Sequence, residues 1–192
     1  MRLFVAINFP AGVRDQIWGA TSPLRSSDLP VRWVGRDLIH LTLKFLGDVA
    51  PDRLRSVQDS LRVAVSGAKP FPLGVQGLGV FPNSRRPTVL WAGCELAPAL
   101  ELIQDSLERE LDRIGFPIEG RPFRPHLTIG RVKHGVRPAT LAGLGGMLEG
   151  IDLHAEALVT SVDLMESHLG RSGPRYESRF AARLGVDGSG DA

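Results

Sequence analysis

The feature that most constrains this chain is a four-residue element that occurs twice, as His40-Leu41-Thr42-Leu43 and as His126-Leu127-Thr128-Ile129. In a strand, side chains alternate between faces, so histidine and threonine share one face and the two aliphatic residues share the other. Each copy is thus predicted to be a strand with its aliphatic face on the core. The polar face must border water, because burying an unpartnered polar group costs about 1–3 kcal/mol. A chain with two such strands needs a groove for both polar faces.

The surroundings of the two copies also repeat. Residues 3–8 read as a short buried strand, and Pro10 opens a helix with Val13, Ile17, Ala20 and Leu24 on one stripe. The strand Ile39 to Leu46 follows. In the second half, Thr88 to Cys94 is a strand, and Pro98 opens a helix with Leu100, Ile103, Leu107, Leu111 and Ile114 on one face. Arg124 to Val132 is the next strand. Pro10 and Pro98 lie 88 residues apart, and His40 and His126 lie 86 apart. Such similar offsets indicate two like lobes.

Between and after these units, Pro51 starts a helix carrying Leu54, Val57, Leu61 and Val65, which Gly67 ends. Residues 71–81 read as a strand with glycine breaks, followed by a Pro-Asn-Ser-Arg-Arg-Pro loop. A Gly- and Pro-rich loop runs from Lys133 to about Gly150. Residues 153–166 form one long strand and 176–183 a last one. Strands and helices that do not strictly alternate favour an α+β fold. The expected architecture is two pseudo-symmetric lobes, each an antiparallel sheet with helices on its outer side, enclosing a central groove. Residues 1–184 are expected to form one bilobal domain, and 185–192, which lack an apolar pattern, a disordered tail.

The chain has 192 residues, enough for a substantial core without covalent staples. No apolar run approaches a membrane span, and the stretch before Pro10 is too short for a signal peptide, so a cytoplasmic location is expected. The single cysteine, Cys94, excludes an internal disulfide framework and a cysteine-rich metal site. A net charge of +2 argues against a protein that coats nucleic acid generally. The basic residues are nonetheless 20 Arg against 3 Lys. Arginine suits bidentate phosphate contacts, but codon bias gives the same excess, so composition alone decides nothing.

Two opposed imidazoles suit phosphodiester hydrolysis, in which one group takes a proton from water and another gives one to the leaving oxygen. Histidine does both near neutral pH. Thr42 and Thr128 can donate hydrogen bonds to non-bridging phosphate oxygens, and Arg131, just past the second motif, can supply positive charge. Either motif alone would read as a satisfied core or surface histidine; two on equivalent strands read as function. Zinc would need three or four His, Cys, Asp or Glu ligands, and neither motif has a second such group at ligand spacing. No Gly-x-Ser-x-Gly turn marks a serine nucleophile. His134 and His154 read as solvated. His168 lies in the segment 166–176, taken as a loop that could border the groove. Trp33, Phe45 and Tyr176 are candidates to stack a base.

At these residues the sequence resembles the bacterial and archaeal RNA 2′,3′-cyclic phosphodiesterase family of the two-histidine phosphoesterase superfamily, whose older name is 2′-5′ RNA ligase. The similarity covers Arg2 to Ile7, His40 to Gly47, Arg121 to Ile129 with Arg131, and Ser167 to Tyr176. The resemblance implies opening of a terminal 2′,3′-cyclic phosphate to a 2′-phosphate. It implies His40 as proton donor, His126 as proton acceptor, and Thr42, Thr128 and Arg131 as phosphate ligands; Tyr176 is a further candidate substrate contact. It implies no metal and no organic cofactor. Expected partners are RNA ends or nucleotides bearing the cyclic phosphate, with the protein a monomer. Two rival readings are a 2′-5′ RNA ligase acting on tRNA halves and a non-catalytic nucleotide-binding module. Two intact proton-transfer groups weigh against the second.

Overall fold

The computed structural model describes residues 1–170 and 173–185. In chain order, the described elements are β1 (Arg2–Asn8), α1 (Ala11–Ala20), α2 (Ser22–Arg25), β2 (Val31–Trp33), β3 (His40–Asp48), α3 (Leu54–Ala64), β4 (Phe71–Phe81), β5 (Val89–Cys94), α4 (Pro98–Arg113), β6 (His126–Val132), α5 (Leu144–Glu149), β7 (His154–Val159), β8 (Ser161–Gly170) and β9 (Gly173–Arg183). Proline sets the helix starts as the sequence suggests. Pro10 caps α1, Pro98 is the first residue of α4, and Pro51 opens a single 3-10 turn that runs into α3.

The strands form one antiparallel sheet in the order β7-β4-β5-β6-β3-β1-β8-β9, with β2 pairing on β6. Outward from the β6/β3 junction, β5 corresponds to β1, β4 to β8 and β7 to β9. The α+β architecture with two like lobes is therefore present, the two lobes sharing a sheet. The aliphatic faces of β1, β3 and β6 (Leu3, Val5, Ile7; Leu41, Leu43; Leu127, Ile129) join Val13 and Ile17 of α1, Val57 and Leu61 of α3, and Leu100, Ile103, Leu107 and Leu111 of α4 in one core. Helix α3 packs on α4 and β9, α4 also on β3, and α1 on β7.

The lobes meet where Leu41 of β3 pairs with Leu127 of β6. Both leucines are fully buried, each stabilising the fold by roughly 1.5–3 kcal/mol relative to exposure. A slip of one residue in either strand would turn its leucines to the groove and its histidine into the core. The junction is thus pinned by the motif itself.

Three segments differ from the sequence reading. The Gly-rich stretch after Lys133 is not a plain loop: a 3-10 turn (Pro138–Leu141) and α5 bury Leu141, Leu144 and Leu148. Glycine lowers helix propensity there, and packing overrides it. Residues 153–166 are two strands, because β7 pairs with β4 while β8 pairs with β1, and a change of pairing partner leaves no mark in a strand's own residue pattern. Residues 167–170 and 173–176 are strand, not loop, within the β8–β9 pair. Strand β2, three residues long, carried no periodic signal. Residues 186–192, most of the expected disordered tail, lie outside the described residues. Among the described residues no helix is long and apolar enough to cross a membrane.

Candidate active site

The register at Leu41 and Leu127 decides the site. On that antiparallel pairing, His40 stands beside Thr128 and Thr42 beside His126, all four on the face away from the core. The two histidines occupy one diagonal of a square and the two threonines the other. All four side chains are half-buried.

The rings are held alike. His40 Nδ1 lies 2.8 Å from the Leu38 carbonyl oxygen and His126 Nδ1 2.7 Å from that of Arg124. In each case the partner is two residues upstream. A carbonyl can only accept, so Nδ1 carries the hydrogen and donates it in both rings, leaving Nε2 of the neutral imidazole with a free lone pair. In His40 that nitrogen accepts from the Thr42 hydroxyl at 3.0 Å. An aromatic edge braces each ring: Tyr176 against His40 with centroids 5.2 Å apart, and Phe81 against His126 at 4.9 Å. Phe4 lies 5.0 Å from His40 on another side and 5.1 Å from Tyr176. Phe4 and Phe81 were not singled out by sequence reasoning. Phe4 had a signal, since it lies on the strand beside the first motif strand, on the face that alternation gives to the groove. Phe81 had none, since β4 lies two strands from β6 and a register shift between Gln76 and Leu78 reverses its alternation.

A pair of matching bulges shapes what lies beyond the histidines. Opposite Ala6 and Val5, the register of β3 steps from Thr42 to Lys44, skipping Leu43. Opposite Trp91 and Leu90, that of β6 steps from Thr128 to Gly130, skipping Ile129. The skipped residue is the fourth of the motif in both strands. Alternation alone would send the fifth residue past each histidine into the core; the bulge returns it to the groove. In β6 this residue is Arg131, exposed and opposite Val89. In β3 it is Phe45, 66% exposed and opposite Phe4. Trp33 does not join them. A Cβ placed on Gly130 would come within 3.0 Å of Trp33 Cε3, so the indole packs on the core face and is not placed to stack a base in the groove.

The same bulge turns Lys44 inward. Its side chain is 2% exposed, ion-paired with Glu108 of α4, and donates to the Pro117 carbonyl at 2.8 Å. Glu108 also accepts the Glu119 N–H at 3.1 Å. One carboxylate therefore ties the back of the first motif strand to the segment that leads into the second.

Burial pushes the His40 imidazole below its ordinary value, the bond to Leu38 opposes this, and the charge of nearby His126 adds to the depression. Burial raises the Tyr176 hydroxyl, against the pull of Arg131 and Arg2, so Arg131 acts across the groove on the His40 side. Cys94 is pushed up to about 12 by burial and is no nucleophile at neutral pH. Among the described residues no group of three or more His, Cys, Asp or Glu side chains could hold a metal ion. His134 is exposed, and His154 is exposed beside Asp152 at 2.9 Å. His168 pairs across β9 with Arg175, on the face opposite Tyr176, and stands 3.4 Å from Glu177. It does not border the groove.

The model of the LigT-like phosphoesterase family matches two successive segments, 7–91 and 94–176, each containing one His-Leu-Thr motif. The chain belongs to the LigT-like phosphoesterase family. The double match divides this family member where its internal repeat does. It is 36% identical to the RNA 2′,3′-cyclic phosphodiesterase of Methanothermobacter thermautotrophicus over 96% of this chain and 99% of that one. It is 30% identical to the protein of the same name from Methanocaldococcus jannaschii, over 92% and 97%. Among solved structures, TT0787 of Thermus thermophilus superposes with a TM-score of 0.80 at 25% identity, covering 97% of this chain and 100% of that chain. Escherichia coli LigT complexed with 3′-AMP superposes with a TM-score of 0.76 at 27% identity, covering 96% and 98%.

Proposed function

We propose that this LigT-like phosphoesterase hydrolyses RNA 2′,3′-cyclic phosphodiesters to 2′-phosphomonoesters by His/His acid–base catalysis without a metal. The observation that carries the reading is the square of two histidines and two threonines, with both rings fixed in the same tautomer and both Nε2 atoms turned from the backbone. The names of the relatives supply the substrate class.

In the proposed reaction, the cyclic phosphate sits over the square. Thr42 and Thr128 donate to its non-bridging oxygens, and Arg131 offsets the charge that grows there. His126 Nε2 takes a proton from water, which attacks phosphorus in line with the bond to O3′. That bond breaks, and protonated His40 delivers its Nε2 proton to the departing O3′. The square does this without a metal's help, since each proton has a stated donor and acceptor and threonine is a poor zinc ligand.

The test is the product of incubation with a 2′,3′-cyclic nucleotide and with RNA bearing a cyclic end, before and after exhaustive chelation. A 2′-phosphate at undiminished rate is expected. A 3′-phosphate reverses the leaving group, loss that zinc restores defeats the metal-free reading, and binding without turnover leaves only a binding module.

A further inference from the structure

Strand β2 pairs with β6, and in that pairing Arg32 stands directly opposite Arg131. Its face follows from its neighbours. Val31 is buried in the core, and a Cβ on Gly130 would meet Val31 Cγ1 at 2.6 Å as well as Trp33. Val31, Trp33 and Gly130 thus share the core face, and Arg32 alternates to the groove face with Arg131. Like charges directly opposite on neighbouring strands, with Cβ atoms about 4.5–5.5 Å apart, are destabilising. Among the described residues neither guanidinium has a carboxylate within ion-pair distance, whereas Arg36, Arg62, Arg109 and Arg113 all do.

The other flank of Arg131 is basic too. The β4–β5 turn exposes Arg85 and Arg86, whose main-chain N–H groups both donate to Asn83 Oδ1, at 3.0 and 3.2 Å. That turn leads to Thr88, whose carbonyl accepts the Val132 N–H at 2.9 Å, and to Val89, the partner of Arg131. The equivalent row of the other lobe is apolar: Phe45, Phe4 and Met165. A cyclic mononucleotide without a 5′-phosphate presents one singly charged phosphate, which two threonines and one arginine already serve. A row of arginines at one end of the groove fits a substrate with further phosphates.

We propose that Arg32, standing beside Arg131, holds the phosphodiester on the 5′ side of the terminal nucleotide and so makes an RNA end a better substrate than a free cyclic nucleotide. This rests on the proposed hydrolase reading and names which form of its substrate the groove selects. Arg85 and Arg86 continue the same track for phosphates further along the strand.

The experiment compares wild type, Arg32→Gln and Arg32→Lys on 2′,3′-cyclic AMP and on a trinucleotide ending in a 2′,3′-cyclic phosphate. The ratio of the two kcat/KM values, trinucleotide over mononucleotide, is expected to fall about tenfold in Arg32→Gln, through KM, with Arg32→Lys recovering part of it. A ratio within about twofold of wild type overturns the proposal. Binding of a fluorescent trinucleotide 2′-phosphate across a salt series gives an independent readout. The slope of log affinity against log salt should shrink by about 0.7 in Arg32→Gln, and an unchanged slope counts against the subsite. If wild type turns over neither substrate, the hydrolase reading fails, and the binding slopes alone then decide for or against Arg32.

Discussion

Arg131 and Phe45 occupy equivalent positions in the two halves of the groove, each five residues past a histidine and each returned to the groove by a bulge at the fourth residue of its motif. The near-symmetric scaffold thereby presents a guanidinium at one end and a bare ring at the other. Arg131→Gln is expected to lower kcat/KM by about 100-fold, the usual cost of losing one donor to transition-state charge. Arg131→Lys should fall between, because it keeps charge and loses the bidentate fork. Steady-state kinetics decide it; an Arg131→Gln enzyme near wild type would remove this residue from the phosphate site.

Replacing either His40 or His126 by alanine should reduce kcat about 100- to 10,000-fold while thermal unfolding stays close to wild type. The double variant should lose little more than the worse single one, because the two groups act in one step. Near wild-type turnover in either single variant would defeat the paired mechanism.

The depressed His40 value sets two pH effects. In the proposed reaction His40 acts as the acid and must be protonated, so the alkaline limb of kcat/KM should begin below the ordinary value of 6.5. Bound phosphate brings negative charge that favours the imidazolium, so the limb of kcat should lie at higher pH. Binding of inorganic phosphate should take up a proton, measurable by calorimetry in buffers of different ionisation heat; proton release would contradict the assignment. For stability, the unfolded chain binds more protons than the folded one between the depressed value and 6.5. His40 therefore stabilises the fold fully above 6.5, and that part is lost as pH falls through the window. His40→Gln should flatten the dependence.

Removing one partner of the buried Lys44–Glu108 pair should be costly. Lys44→Met or Glu108→Leu alone is expected to destabilise by about 3–5 kcal/mol, since each leaves a buried charge unpaired. The double variant should recover much of that loss, as measured by chemical denaturation. Additive losses in the double variant would show that packing, not charge, dominates here.

The two motif strands, the proline-started helices and the repeat were legible because each rests on local rules: alternation, helical spacing and proline geometry. The faces of His40, Thr42, His126 and Thr128 followed from alternation alone. What sits beyond Thr42 and Thr128 did not, because a bulge is an interaction between strands and leaves no mark in the strand that carries it. Hence the groove position of Arg131 carried no signal in its own spacing from His126, and the inward turn of Lys44 none in its polarity. Strand β2 was invisible for a related reason. Three residues show no period, and Val31-Arg32-Trp33 becomes a strand only through its pairing with β6.

The way the halves share their parts bears on how such a chain can be divided. Helix α1 lies on β7, α4 lies on β3, β4 crosses from the first half to pair with β5 and β7, and β8 and β9 return to complete the sheet beside β1. The halves are interlocked like links of a chain rather than set side by side. A polypeptide severed in the β4–β5 turn would yield two fragments, each owning a whole His-Leu-Thr motif and neither owning a whole sheet. Such fragments should stay unfolded alone and complement one another only on mixing. For this molecule, then, the repeat does not mark a unit that can live by itself.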